Sequence, residues 1–435
     1  MPYGELIEYF KNKKVLMLGF GREGRSTYRL LRRFYPDMPL GIADLNEIEA
    51  PDKITAIHTG EKYLAAMENY ELIMKSPGIS MRGIKIPPVV EITCQTDLFL
   101  RYAPCIKVGI TGTKGKTTTS TLIFETLMAG GKPAVLIGNI GIPVFDSLDN
   151  IEGRIAVIEM SSHQLEFCKA SPHVAVFTNL YEEHLDHYDS FAAYASAKLN
   201  IARFQSEKDF FIYGDELDEN ELLDFGPLKG TRIPIRAEEA KGQVFEAAKL
   251  NDRLLGKHNR LNIMFTAAAA GCMGVGEAAL IKAVTDFKGI EHRMEPVGTF
   301  KGIKFFNDSI ATIPQAVPVV VEALGDADTL ILGGMDRGID YTDLITYLQS
   351  GAVKTLVCLP ETGYAIGNAL QKTSSKAAVV YAKDMEEAVR HAYKLTAAGQ
   401  SCVLCPAAAS YNVYKNFEQR GNHYKELVRA LGNND

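Results

Sequence analysis

Eleven residues, Gly109-Ile110-Thr111-Gly112-Thr113-Lys114-Gly115-Lys116-Thr117-Thr118-Thr119, combine glycines, two lysines and a run of hydroxyls. Glycines let backbone N–H groups close on phosphate oxygens, and a helix N-terminus beyond them adds the positive end of its dipole. A lysine at Lys116 reaches outer phosphates and a hydroxyl at Thr117 can hold magnesium, which is the chemistry of ATP or a close relative. The spacing departs from the usual form. Gly109 lies six residues before Gly115 instead of five, and Ile110 takes the place of the expected glycine. A glycine-rich turn without a nucleotide is the alternative. The metal partner is expected at the end of the next buried strand, where Glu159 stands in Val157-Ile158-Glu159-Met160-Ser161-Ser162. A carboxylate leaving an apolar strand is costly unless paired, so a cation is expected there, with an N-cap for the following helix as the other reading.

Asn179-Leu180-Tyr181-Glu182-Glu183-His184-Leu185-Asp186-His187 is dense in oxygen and imidazole ligands. His184 is the candidate for a metal or substrate role and His187 the weaker one. Histidines three apart with no cysteine beside them fit zinc poorly, and a solvated surface cluster is the alternative. Lys198, in Tyr194-Ala195-Ser196-Ala197-Lys198-Leu199, lies on a predicted helix and in its local context reads as an ordinary exposed lysine. Gly19-Phe20-Gly21-Arg22-Glu23-Gly24 has the form of a dinucleotide-binding fingerprint, and Asp44, twenty residues beyond Gly24, stands where an acid accepts a ribose hydroxyl. NAD, another nucleotide diphosphate and a turn with no ligand all fit that pattern.

Positioning these groups requires strands that end at them. Apolar runs predict strands at Lys14 to Gly19, Leu40 to Ala43, Leu72 to Met74, Cys105 to Ile110, Ile155 to Ile158 and Val174 to Phe177, with a helix over Ser120 to Gly130. Ala237 to Leu250 is weaker and reads as a peripheral strand pair. A third region from about Met294 predicts five strands, at Phe300 to Phe306, Thr329 to Leu332, Val353 to Cys358, Ala377 to Tyr381 and Ser401 to Leu404. Alternating strands and helices imply parallel sheets with ligand groups at their carboxyl ends. At 435 residues the chain is long enough for several cores. Its 46% hydrophobic and 23% charged residues place it among globular proteins and not disordered ones. A net charge of −6 with no basic stripe argues against nucleic acid, and no apolar run is long enough to span a membrane. Met1 to Lys14 lacks the apolar segment of a signal peptide, so a cytoplasmic location is the expectation. The 7 cysteines show no framework spacing, and Cys402-Val403-Leu404-Cys405 reads as buried thiols in a strand.

Taken in order, Thr111 to Thr117, Gly138-Asn139-Ile140-Gly141, Glu159-Met160-Ser161-Ser162, Asn179 to Asp186, Ala197-Lys198, Gly256-Lys257-His258-Asn259, His292-Arg293 and Asn307-Asp308-Ser309 resemble the motif series of the Mur ligases across nearly the whole chain. Gly19 to Gly24 with Ser76-Pro77-Gly78, and the ending Lys415-Asn416-Phe417-Glu418-Gln419-Arg420-Gly421, are most similar to glutamate-adding members. The resemblance implies three α/β domains: a Rossmann-like UDP-binding domain (1–96), a central ATP-binding parallel-sheet domain (97–294) and a Rossmann-like amino-acid-binding domain (295–435). It implies a monomer acting in peptidoglycan precursor synthesis. Such an enzyme uses ATP to phosphorylate the carboxylate of UDP-N-acetylmuramoyl-L-alanine and lets D-glutamate attack the acyl phosphate.

By the same resemblance Gly112, Thr113, Lys114, Gly115, Lys116, Thr117 and Thr118 bind ATP with Asn259, Asn262, Arg293 and Asp308. Two magnesium ions are implied, held by Thr117, Glu159, His184 and a carbamylated Lys198. Arg22, Glu23, Asp44, Ser76 and Gly78 surround the UDP group, Asn139, Ser161 and Gln164 the muramoyl and pyrophosphate parts, and Thr312, Arg337, Ser410 and Phe417 the incoming glutamate. Ile310 stands where many members carry lysine, Arg337 replaces a lysine and Lys114 a common asparagine. Arginine and lysine are not interchangeable at a bidentate site, so addition of L-glutamate is the nearest rival. An NAD-dependent oxidoreductase explains the fingerprint but leaves Lys116 and Glu159 without a task. A nucleotide-binding regulator without turnover is a third reading, against which Lys116, Glu159, His184 and Lys198 together argue.

Overall fold

Seventeen strands fall into three sheets in the computed structural model, which describes all residues except 1, 184–186, 215–216, 218–225, 255–256 and 434–435, and only the backbone of 252 and 257. The chain divides into two compact units, Met1–Phe287 and Lys288–Asp435. The first sheet has β1 (Val15–Leu18), β2 (Leu40–Asp44), β3 (Ala56–Thr59), β4 (Leu72–Lys75) and β5 (Glu91–Thr93), all parallel in the order β3-β2-β1-β4-β5. The order reverses between β1 and β4, which opens a crevice at their carboxyl ends.

In the same unit β6 (Ile106–Thr111), β7 (Ala134–Gly138), β8 (Ile155–Glu159), β9 (Val174–Phe177), β10 (Phe210–Gly214) and β11 (Thr231–Ile235) form a second parallel sheet, ordered β11-β10-β9-β6-β8-β7. β1, β4, β8 and β9 are buried along their whole length, as strands covered on both faces must be. The second unit holds β12 (Glu295–Phe300), β13 (Ile303–Asn307), β14 (Ala327–Gly334), β15 (Thr355–Glu361), β16 (Ala378–Tyr381) and β17 (Ser401–Leu404) in the order β12-β13-β17-β14-β15-β16. All its pairs are parallel except β12 with β13.

Two expectations are corrected here. Residues 300–306 are not one strand, because Lys301 and Gly302 both take positive φ (50° and 78°) and turn β12 back on β13. A two-residue turn with φ positive at both positions matches the twist of antiparallel strands. Residues 237–250 are not a strand pair: a short 3₁₀ turn at Ala237–Glu239 leads to a helix at Gln243–Lys249. Its alanine, glutamate, glutamine and lysine content favours helix over strand. The cysteine expectation holds, with Cys402 and Cys405 buried and unbridged.

One buried side chain braces the second unit. The Arg420 guanidinium donates to Ser309 Oγ (3.0 Å), Ser309 O (2.8 Å) and Ala408 O (3.0 Å). Burial pulls its pKa down to about 10. Arg420→Ala would leave two buried carbonyls unpaired, so a loss of about 3 kcal/mol in urea-unfolding stability is expected. A change below about 0.5 kcal/mol would mean that water takes over these bonds.

Candidate active site

The phosphate loop leaves β6 and its two glycines are forced by sterics. Gly112 has φ +144°, and a Cβ there would collide with the Thr178 hydroxyl. Gly115 has φ +81°, and a Cβ there would lie 2.6 Å from Asn262 Oδ1. Gly109 lies inside the strand, packed against Met160 and Pro172, which accounts for the irregular spacing: it is not part of the loop. Lys116, Thr117 and Thr118 begin the helix Lys116–Ala129. Asn179 braces the loop from the end of neighbouring β9, its Oδ1 accepting from Lys114 N (2.8 Å) and its carbonyl from Thr113 N (3.0 Å). Thr178 Oγ donates to Lys114 O at 2.7 Å. Asn262 accepts from Thr119 Oγ and donates to Asn259 Oδ1, so both asparagines lie behind the loop.

Lys198 is not an exposed lysine. Its helix, Phe191–Arg203, is capped by Ser190, whose hydroxyl accepts from Ala193 N, and packs Lys198 inward to 2% exposure. Lys198 Nζ donates to Gly112 O at 2.8 Å, and Lys116 Nζ donates to the same oxygen at 2.8 Å. Burial, and then the Lys116 charge, hold the Lys198 amine well below its usual pKa, with Glu183 opposing. The pair therefore favours a neutral amine at Lys198.

Glu159 ends β8, paired in register with Ile110 of β6 and Gly138 of β7. Asn139 Nδ2 donates to Glu159 Oε1 at 2.7 Å, while Oε2 is buried with no hydrogen-bond partner among the described residues. It is not the cap of the next helix. Ser161 is, in a capping box with Gln164. A buried carboxylate oxygen beside the phosphate loop and a threonine at the loop's helix are hard oxygen donors that suit magnesium, which takes few protein ligands and fills the rest with water and phosphate. Among the described residues no group of three or more His, Cys, Asp or Glu could hold a metal. His184, with Leu185, Asp186 and Gly256 of the motif series, lies outside the described residues.

The fingerprint turn sits at the β1/β4 crevice. Ser76 Oγ donates to Gly19 O at 2.8 Å, and Asp44 accepts from Phe20 N (2.9 Å) and Asn46 N (2.9 Å), so this acid also holds the turn. A Cβ on Gly78 would meet nothing, so that turn is open. Arg22 points toward Gly141, and Gln164 Nε2 donates to Glu23 Oε1 at 2.7 Å, which links the fingerprint to the Ser161–Gln164 cap. Within the second unit Thr312, Arg337 and Ser410 follow the adjacent strands β13, β14 and β17, and Arg337 donates to Thr312 O at 3.0 Å. The Phe417 carbonyl accepts from Ser309 Oγ, and its ring meets His292 edge-on. Asp308 accepts from Met294 N (2.8 Å) and burial raises its carboxyl pKa, with the neighbouring Arg293 charge opposing. Thr178 and Tyr194, whose hydroxyl meets Thr113 Oγ at 3.0 Å, were not singled out from sequence. The signal for Thr178 was its place at the end of a strand beside β6.

This arrangement defines an α/β protein with a glycine loop of phosphate-binding form and a separate crevice at the fingerprint turn. Models of the Mur ligase middle domain and of the Mur ligase glutamate ligase domain match residues 110–270 and 292–408. A UDP-N-acetylmuramoylalanine–D-glutamate ligase of Symbiobacterium thermophilum is 34% identical, covering 86% of this chain and 87% of its own. That of Acetivibrio thermocellus is 33% identical, covering 97% of each. The chain belongs to the Mur ligase family. The fold agrees with that of the UDP-N-acetylmuramate–alanine ligase of Thermotoga maritima (17% identity, TM-score 0.58, 97% of this chain and 100% of that one). It also agrees with a MurF ligase of the same organism solved with ADP (14%, TM-score 0.57, 96% and 95%).

Glu159→Gln removes a buried carboxylate whose Oε2 has no hydrogen-bond partner among the described residues. Its melting temperature without magnesium is expected to equal or exceed that of the parent, while the magnesium needed for half-maximal ATP turnover rises at least tenfold. A lower melting temperature with an unchanged magnesium requirement would make the carboxylate structural.

Proposed function

We propose that this chain joins D-glutamate to UDP-N-acetylmuramoyl-L-alanine, with ATP converted to ADP and phosphate. The observation that carries this reading is the phosphate loop and Glu159 on adjacent strand ends, in a chain about one-third identical over nearly its whole length to ligases of that name. The muramoyl-alanine carboxylate attacks the γ-phosphorus and ADP leaves. The glutamate amine then attacks the acyl carbon, phosphate leaves, and the amine gives up its proton. Both steps bring like charges or a weak nucleophile into line, so the work is alignment and charge neutralisation.

Lys116 would exchange its loop carbonyls for the β- and γ-phosphates, and Asn259, Asn262, Arg293 and Asp308 would hold the nucleotide. Thr117 and Glu159 would hold one magnesium, and His184 with Lys198 the second. Magnesium, when bound, neutralises phosphate oxygens that otherwise repel the attacking carboxylate. Lys198 is suited to carbamylation because a buried neutral amine can add to carbon dioxide, releasing a proton, and the resulting anion no longer repels Lys116 or a cation. Arg22, Glu23, Asp44, Ser76, Gly78, Asn139, Ser161 and Gln164 would line the UDP-substrate crevice, and Thr312, Arg337, Ser410 and Phe417 the glutamate site. The domain limits near residues 96 and 294, a monomer and a cytoplasmic location belong to the same proposal. For location, among the described residues no helix is long and apolar enough to cross a membrane.

Phosphate release from ATP with UDP-N-acetylmuramoyl-L-alanine is expected to depend on D-glutamate and to fall at least tenfold with L-glutamate. Preference for L-glutamate would shift the reading to the related ligase and bring Ile310 and Arg337 to the fore. Lys198→Ala should lose at least 100-fold in this assay and recover part of it with added short-chain carboxylates. Full activity in plain buffer would remove Lys198 from the reaction.

A further inference from the structure

Two half-buried carboxylates share one buried ammonium where the fingerprint crevice meets the Ser161–Gln164 cap. Glu23 lies in the first turn of the helix Arg22–Phe34, directly after the glycine turn. Gln164 satisfies its Oε1, but Oε2 is shielded from solvent and has no hydrogen-bond partner among the described residues. The neighbouring ammonium, Lys75 at the end of β4, is 3% exposed and is committed elsewhere, 3.1 Å from Glu166 Oε2. Glu166 is in turn approached by His187 Nε2 at 3.3 Å. Cys168 faces Glu23 as a thiol whose pKa burial raises, and Arg22, on Glu23's own helix, is directed toward Gly141. Lys75 contacts Glu166, so the shielded Glu23 Oε2 lacks that ammonium as a direct partner, and a dry carboxylate oxygen without a contacting cation favours the protonated form. Glu166 has the ion pair, and its pKa is lowered by His187 and Lys75 against burial. Glu23 has the neutral amide and the open oxygen.

We propose that Glu23 is a proton-linked residue of the nucleotide-sugar site, taking up a proton when the substrate's pyrophosphate enters the crevice. The proposal rests on the functional reading above, since the ligand is the UDP-sugar that reading assigns. A helix N-terminus at a glycine turn draws anions, but a carboxylate in its first turn repels the same anion through a poorly solvated boundary. Protonation removes that repulsion and turns the open oxygen into an O–H donor. Burial raises the carboxyl to about 7, against the pull of Gln164 and Lys75, so in the free protein it titrates where the enzyme would work. The pyrophosphate, a diester on both sides, has no proton to exchange in that range. An anion nearby can only raise the carboxyl further, so the bound state holds more protons than the free state above pH 7 and affinity falls as pH rises.

The test is calorimetric titration of the full chain with UDP-N-acetylmuramoyl-L-alanine at pH 7.5, in buffers of different ionisation heat. Uptake of about half a proton or more per ligand is expected, with affinity falling toward tenfold per pH unit between pH 7.5 and 8.5. Glu23→Gln should abolish the uptake and flatten that dependence, while ATP binding, measured in parallel, keeps the parent's pH profile and reports that the variant is folded. Binding by the parent with no proton exchange, or equal exchange by Glu23→Gln, overturns the proposal, and the first of these needs no variant. Absence of any binding to the UDP-sugar would instead overturn the functional reading, and this proposal with it.

Discussion

The carbonyl of Gly112 receives two ammonium groups, and the central site is built around that crowding. Lys116 reaches it from the helix that opens the phosphate loop, and Lys198 from a helix more than eighty residues further along. Two cations on one oxygen are tolerable only if one gives up its charge or an anion arrives between them. Burial decides which one gives way, since Lys198 is almost fully enclosed and Lys116 is not. The geometry thus favours an uncharged amine at Lys198 beside the Lys116 charge. Backbone sterics hold it there, because Gly112 is pressed against Thr178 and Gly115 against Asn262.

Helices bring Lys198, Tyr194 and Asn262 to this loop, and the other groups around it arrive on the carboxyl ends of parallel strands. β6 brings the loop, β8 brings Glu159, β7 brings Asn139 and β9 brings Thr178 and Asn179. Register fixes their heights, with Ile110 opposite Glu159 and Glu159 opposite Gly138. The first sheet repeats the device with the Gly19 turn, Asp44 and Ser76 on β1, β2 and β4, and the second unit repeats it with Thr312, Arg337 and Ser410. Parallel strands packed into the core let short polar segments at their ends carry the chemistry.

Much of this was legible in the sequence where local sterics or periodicity dictate it. The glycines of both turns, the apolar strands and the acid at Glu159 follow from the backbone's need to approach phosphate and from continuous burial. Lys198 was not legible from its own surroundings, because its burial depends on which face of its helix the sheet covers, and only the ordered motifs singled it out. The β12–β13 hairpin was hidden by Phe300 and Ile303, which continue one apolar run across a two-residue turn. Arg420 was visible as part of a motif, yet its role in tying Ser309 to Ala408 depends on contacts more than one hundred residues apart in the chain.

The polar atoms left without partners are informative for the same reason. Most buried donors and acceptors in a folded protein are satisfied, and each exception costs stability. In the first unit, among the described residues, Glu159 Oε2 stands beside the phosphate loop, and Glu23 Oε2 and Gln95 Oε1 lie at the fingerprint turn. On the proposed reading, a carboxylate oxygen kept dry beside the ATP loop is a ready seat for a cation, and a carboxyl kept dry beside the nucleotide-sugar site is a ready seat for a proton. On the proposed reading, bound ligands offset these costs. Stability is therefore expected to be lowest in the empty protein and to rise as each crevice fills, with the central site gaining from metal and nucleotide and the fingerprint crevice from the nucleotide sugar.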